Sequence, residues 1–142
     1  MTSFQAAIGR VQLRKLDKLN EIRRSNAQYL SSLLKDVDGI ELPAELPWAK
    51  HVYHLYAVKI LRANRDCVAK CMKEKGIEVG IHYPIPINKQ PLFRKLGYGN
   101  ECMPNSDKLS RVELSLPTHP GLTNRDIEVI AKELRLCLER CS

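Results

Sequence analysis

The chain has 142 residues, 44% of them apolar, enough to bury one core. No apolar run nears the ~20 residues of a membrane span, and no charged-then-apolar leader of the secretory type opens the chain. The net charge of +7 comes from dispersed lysines and arginines without aromatic interleaving, which argues against a nucleic-acid binder and leaves a solvated surface or a site for anionic groups.

Residues 4–37 read as one long helix. Phe4, Ile8 and Val11, then Leu16, Leu19 and Ile22, then Leu30, Leu33, Leu34 and Val37 recur at spacings of three and four. Asp38-Gly39 ends it, with glycine free to take a left-handed cap. Pro43 and Pro47 make residues 40–48 an extended connector. Residues 51–60 are rich in aromatic and β-branched types and read as a strand, apolar on both faces and therefore central.

Asn64 is a fitting N-cap for a helix over 65–75, closed by Gly76. Residues 77–81 read as a second strand, 88–104 as loop or short helix, 105–111 as a short helix and 112–116 as a third strand. Thr123-Asn-Arg-Asp126 has the form of a capping box opening a last helix over 124–140. The expected fold is α+β: a small three-stranded, mostly antiparallel sheet with helices packed on it and a long N-terminal helix.

Five cysteines, an odd number in a chain too large to need staples, fit free thiols in a reducing cytoplasm. Cys67 and Cys71 share one helical face, as do Cys137 and Cys141, and four thiolates are a metal-ligand set. The spacing is wider than that of zinc knuckles, so buried, inert thiols are the expectation and no metal site is assigned.

The stretch from Gly76 to Phe93 carries the best site candidates. Pro84 and Pro86 hold His82 and Tyr83 on a stiff, extended segment just past a strand end. A neutral imidazole accepts from a sugar hydroxyl and a protonated one pairs with phosphate, while the tyrosine offers an apolar ring with a polar tip. Lys89, a point charge suited to a diphosphate, and Gln90 follow on the same loop. His54 reads as a hydrogen-bonded core residue of its strand, and His119, between Pro117 and Pro120, as a structural one. A structural turn with one surface histidine is the competing reading of the His82 segment.

Gly80-Ile-His-Tyr-Pro-Ile-Pro86, Met1-Thr-Ser-Phe-Gln-Ala-Ala-Ile-Gly-Arg10, Val52-Tyr-His-Leu-Tyr56 and Leu114-Ser-Leu-Pro-Thr-His-Pro-Gly-Leu-Thr123, in that family's order and spacing, resemble the C-terminal part of DegT/StrS-type nucleotide-sugar aminotransferases. The resemblance covers nearly the whole chain. It implies the small C-terminal domain of a fold type I pyridoxal-phosphate transferase, with residues 1–37 as a linking helix near a dimer interface and 38–142 as the small domain. The intact parent would transfer an amino group, from glutamate, to a keto group of a nucleotide-linked deoxysugar in the cytoplasm, as a homodimer without nucleic acid or membrane.

The family's serine-x-x-lysine and glycine-glutamate-glycine-glycine stretch, which carries the cofactor lysine, is not in this sequence. Ser32-Leu-Leu-Lys35 mimics its first half inside a helical pattern. The chain is therefore expected to lack the large cofactor-binding domain, to begin at an internal methionine, to hold no catalytic or cofactor-binding residue and to be inactive alone. His82, Tyr83, Lys89 and Gln90 would line the substrate side. The sugar, the keto position and the amino donor stay open, with a lean toward 3-keto sugars. Two other classes remain: a non-catalytic binding or regulatory module using the same domain, and a basic nucleic-acid-binding domain.

Overall fold

The computed structural model describes residues 1–142. The chain begins with two helices, α1 (Ser3–Leu13) and α2 (Leu16–Leu34). Thr2 opens α1 with a capping box: its hydroxyl accepts from Gln5 N and its own N–H donates to Gln5 Oε1 at 2.8 Å. The expected single helix over 4–37 is thus broken at Arg14–Lys15, where Lys15 N turns back to Gln12 O at 3.0 Å in a tightened turn. The two halves have different surroundings. Nothing on α1 is buried, whereas α2 buries Asn26, Ala27, Leu30 and Leu34.

The sheet has three antiparallel strands in the order β1 (Ile40–Glu41), β2 (Tyr56–Ile60), β3 (Glu113–Leu116). Ile40 lies opposite Ile60, and Tyr56 and Val58 lie opposite Leu116 and Leu114. The α+β architecture with a three-stranded antiparallel sheet is the one expected, but one of its strands lies where the pattern placed none, and one expected strand does not form. Residues 40–41 pair with β2 although they lie in the stretch read as a connector. Residues 77–81 form no strand, only a single bridge between Gly80 and Ser115. Ile77 and Val79 are buried and Glu78 is exposed, so the alternation is real. The ladder stops because the next donor, His82 N–H, is taken by the Glu113 side chain instead of a strand carbonyl.

The third strand is Glu113–Leu116 as expected, all four residues buried. β2 is central, but it alternates buried and half-buried, so one face is fully covered and the other is not. It also starts later than 51. Tyr53 takes a left-handed conformation (φ 48°) and its N–H donates to His51 Nδ1 at 2.8 Å, which turns the chain before the strand begins.

After β2 come α3 (Arg65–Glu74), the short α4 (Pro91–Lys95), α5 (Pro104–Val112) and α6 (Asn124–Cys141). Asn64 caps α3 through Cys67 N at 2.9 Å, and Gly76 closes it at φ 78°. The Thr123–Asp126 capping box opens α6. One core joins α2, α3 and α6 to the sheet, with Leu30, Leu34, Tyr56, Val58, Met72, Leu114 and Leu134 wholly buried. No helix is long and apolar enough to cross a membrane.

Four of the cysteines are not free thiols. The structure bonds Cys67 to Cys141 and Cys71 to Cys137, and only the exposed Cys102 is free. The reason is tertiary: α3 and α6 pack antiparallel, and the paired Cα atoms stand 5.8 and 5.7 Å apart, inside the span a disulfide bridges. Helical spacing had placed each pair on one face without saying that the two faces meet.

Candidate functional site

Glu113 points its carboxylate into the fold from the first position of β3 and is 3% exposed. An acid in a buried strand must find donors. Glu113 Oε2 accepts the backbone N–H of His82 at 2.6 Å and Oε1 accepts the Ser115 hydroxyl at 2.6 Å. Ser115 Oγ also lies 3.1 Å from His82 Nδ1. A serine hydroxyl has one proton, and here Glu113 takes it. Ser115 therefore accepts from Nδ1–H, so that in the neutral ring the proton sits on Nδ1 and Nε2 is the nitrogen that carries the lone pair. Beneath the ring lies Gly80, where a Cβ would collide with His82 Cε1. That position is closed to any side chain while the ring holds its place.

The backbone around this carboxylate is pinned as well. Arg65, 8% exposed, donates from Nη1 to Glu113 O at 2.7 Å and from Nη2 to Ser110 O at 3.0 Å. The carboxylate, its strand and the turn at residues 80–82 thus form one hydrogen-bonded unit.

His82 and Ser115 line a cavity of about 760 Å³, within the range of small-ligand sites. Its walls come from residues 75–80 after α3, residues 115–119 at the end of β3 and beyond it, and Asp126, Val129 and Ile130 of α6. Arg23 of α2 and the exposed His54 and His119 also face it. His54 is not the core residue of a strand that its pattern implied: the left-handed Tyr53 sends Tyr53 and Tyr56 inward and leaves His54 and Leu55 outside. His119 has the expected structural part, its carbonyl accepting from Asn26 Nδ2 at 3.1 Å and its Nδ1 from Gly121 N at 3.2 Å, and it lines the cavity too.

Asp126 is held below the usual carboxylate range by the Thr123 hydroxyl and then by the Thr123 backbone N–H. Tyr53 is pushed up, first by burial and then by the charge of Glu45. Arg24 donates to Glu45 Oε1 at 2.7 Å and also to His51 O, and Glu45 accepts His51 N at 2.9 Å. These contacts hold residues 51–55 against α2.

The four expected site residues do not converge. His82 is in the cavity. Tyr83 is 74% exposed, edge-on to the His82 ring, and Gln90 is exposed on the loop beyond. Lys89 Nζ sits 2.5 Å from Asp107 Oδ1, outside the cavity. Glu113 and Ser115 were missed in the sequence reading. Their signal was a charged and a hydroxyl residue alternating with apolar ones in a strand that was itself correctly placed. The basic surplus is dispersed, as read: Arg24, Lys50, Lys59, Arg62 and Lys75 each meet a carboxylate.

These residues do not fit pyridoxal phosphate itself. Its aldehyde needs a free lysine amine, and the cavity's lysine, Lys75, faces Glu133 at 3.7 Å. Lys35 ends α2 and is no cavity residue. The unit built here from an imidazole, a hydroxyl and a carboxylate suits hydroxyl groups.

Residues 1–135 match the sequence profile of the DegT/DnrJ/EryC1/StrS aminotransferase family. The erythromycin biosynthesis sensory transduction protein EryC1 of Saccharopolyspora erythraea is 35% identical over 135 residues, 95% of this chain and 36% of that protein. The dTDP-4-dehydro-2,3,6-trideoxy-D-glucose 4-aminotransferase of Saccharopolyspora spinosa is 37% identical over 137 residues, 94% of this chain and 34% of that enzyme. Among solved structures, S. venezuelae DesV in complex with a ketimine intermediate superposes with a TM-score of 0.86 at 30% identity, covering 97% of this chain and 37% of DesV. The chain thus spans about a third of the length of the relatives it matches.

Proposed function

Because the chain belongs to the DegT/DnrJ/EryC1/StrS aminotransferase family, we propose that it forms the substrate-side part of an enzyme that moves an amino group, from glutamate, to a keto group of a nucleotide-linked deoxysugar. The observation that carries this reading is the placement of His82, whose Nδ1 is engaged by Ser115 while its ring lines the cavity and, when neutral, keeps an acceptor at Nε2. A lone-pair acceptor held in place is what a sugar hydroxyl needs. Pyridoxal phosphate, in this reading, is held by residues outside this chain and brings the electron sink of amino transfer, while this chain binds and orients the sugar.

Tyr83, exposed beside the His82 ring, is the proposed lid over the sugar, and Lys89 with Gln90 the proposed contacts to the nucleotide diphosphate. Lys89 would exchange Asp107 for phosphate. Residues 1–37 are the proposed link to the rest of the enzyme. The exposed Phe4, Ile8, Val11 and Leu13 of α1 are the proposed surface covered in a homodimer. A nucleotide diphosphate carries charge that a bilayer excludes, which supports a cytoplasmic place for the enzyme.

The test is binding. Nuclear magnetic resonance of the chain titrated with a dTDP-linked keto sugar should move the signals of residues 80–83 and 115, and Gly80→Ala should abolish the shift while leaving the fold intact. Shifts confined to other surfaces would overturn the assignment.

A further inference from the structure

Three rungs join α3 to α6 at four-residue intervals. Cys67 is bonded to Cys141, Cys71 to Cys137, and Lys75 faces Glu133. The helices are antiparallel, so each step of four along one meets a step of four back along the other. Just past the third rung lie Gly76 and Val129, which line the cavity.

The two sulfur rungs differ in access. Cys71 and Cys137 are buried, at 4% and 0% exposure, with the Arg140 guanidinium 3.9 Å from Cys71 Sγ. Cys67 is exposed in the first turn of α3. Cys141 is half-buried in the last turn of α6, where its carbonyl accepts the N–H of Asn64 at 3.1 Å.

We propose that the Cys67–Cys141 bond is a thiol–disulfide exchange site for a dithiol partner, guarding the buried Cys71–Cys137 bond, so that the redox state of the pair sets how firmly α6 is held against α3 beside the cavity. A thiolate of the dithiol attacks the sulfur of Cys67, the exposed residue of the two, the Cys67–Cys141 bond breaks, and Cys141 leaves as a thiolate and takes up a proton. The second thiolate of the partner attacks its own sulfur in the mixed disulfide and releases Cys67. The partner ends as a disulfide, having given two electrons and two protons, and its disulfide form reverses every step.

Opening the outer rung frees the last turn of α6 and its contact with Asn64. The inner rung and the Lys75–Glu133 pair still hold the helices at the cavity. Opening the inner rung needs the helices to part first, because neither sulfur is exposed to an attacking thiolate.

The chain is oxidised with glutathione disulfide, then given dithiothreitol, and samples are alkylated with iodoacetamide over time and mapped by mass spectrometry. Before reductant, Cys67, Cys71, Cys137 and Cys141 should all resist labelling. Cys67 and Cys141 should follow first, and Cys71 with Cys137 at least about ten-fold more slowly, their rate rising with urea as local opening does. Hydrogen exchange in the last turn of α6 should rise with the first step, while the amides around Cys71 and Cys137 stay protected. In the double variant Cys67→Ser/Cys141→Ser, which lacks the guard, the inner pair should open faster than in the native chain, an unchanged inner rate overturning the guarding role, and Cys71→Ser/Cys137→Ser should keep the fast outer phase. Simultaneous release of all four thiols, release of the inner pair first, or a chain that glutathione disulfide leaves with five open thiols would overturn the proposal, and so would unchanged exchange in the last turn.

Discussion

Glu113 holds His82 by the backbone: a carboxylate oxygen accepts the histidine N–H at 2.6 Å, and the other oxygen binds the Ser115 hydroxyl that in turn meets the ring. One buried acid thus sets both the position of the turn and the tautomer of the imidazole. Orienting a site residue from behind keeps its other face free for a ligand.

Glu113→Ala should destabilise the chain by about 1–3 kcal/mol for each donor it orphans, the His82 N–H and the Ser115 hydroxyl. Glu113→Gln keeps one acceptor and turns a donor toward the other, so it should cost less. Urea unfolding of the two variants measures the difference. Equal stability of Glu113→Ala and the native chain would mean that the carboxylate is not the anchor.

His82→Ala, in an enzyme of the family's full length carrying this chain, should weaken the half-reaction with the nucleotide sugar and spare that with glutamate. A lost hydrogen bond of about 0.5–1.5 kcal/mol lowers kcat/KM by roughly two- to thirteen-fold. Stopped-flow rates of the two half-reactions separate the cases, and equal losses would place His82 in support of the fold or cofactor.

Asp107→Asn should tighten binding of the nucleotide sugar. Lys89 now spends its charge on Asp107, and releasing it offers the cation to a diphosphate. A partly exposed pair is worth up to about 1 kcal/mol, so the gain is up to about five-fold. Isothermal titration at low and high salt checks it, and unchanged affinity would remove Lys89 from the diphosphate site.

Asp126 binds Thr123 through both its hydroxyl and its N–H, and these bonds depress the carboxyl below its ordinary value. A depressed folded value means that the stabilisation is complete above the ordinary carboxylate range, about pH 4, and fades as pH falls through the lower folded value. Thermal melts of the native chain and Asp126→Asn should therefore differ at pH 6 and draw together toward pH 2. A gap that persists unchanged at pH 2 would show that ionisation of Asp126 is not its source.

Local chemistry was legible in the sequence. The caps at Thr123 and Asn64, the glycine stop at Gly76, the span of α3 and the α+β class all follow from rules that act over a few residues. The motif containing His82 was legible as a stretch, since Pro84 and Pro86 restrict Tyr83 and Ile85, but the segment is not the extended end of a strand: the chain bends at His82, where Glu113 holds the backbone N–H.

What depended on neighbours far along the chain was not. Residues 77–81 have the alternation of a strand, yet a strand exists only where a partner's donors and acceptors are free, and Glu113 claims the one at His82. Ile40–Glu41 became a strand because β2 offered it an edge. Lys89 was read as a free cation until α5 brought Asp107 against it. The cysteines showed two helical faces, but only the antiparallel packing of α3 on α6 brought Cys67 to Cys141 and Cys71 to Cys137. Propensity and capping are written in short stretches of sequence, whereas hydrogen-bond partners, ion pairs and disulfides are decided when distant stretches compete for the same atoms.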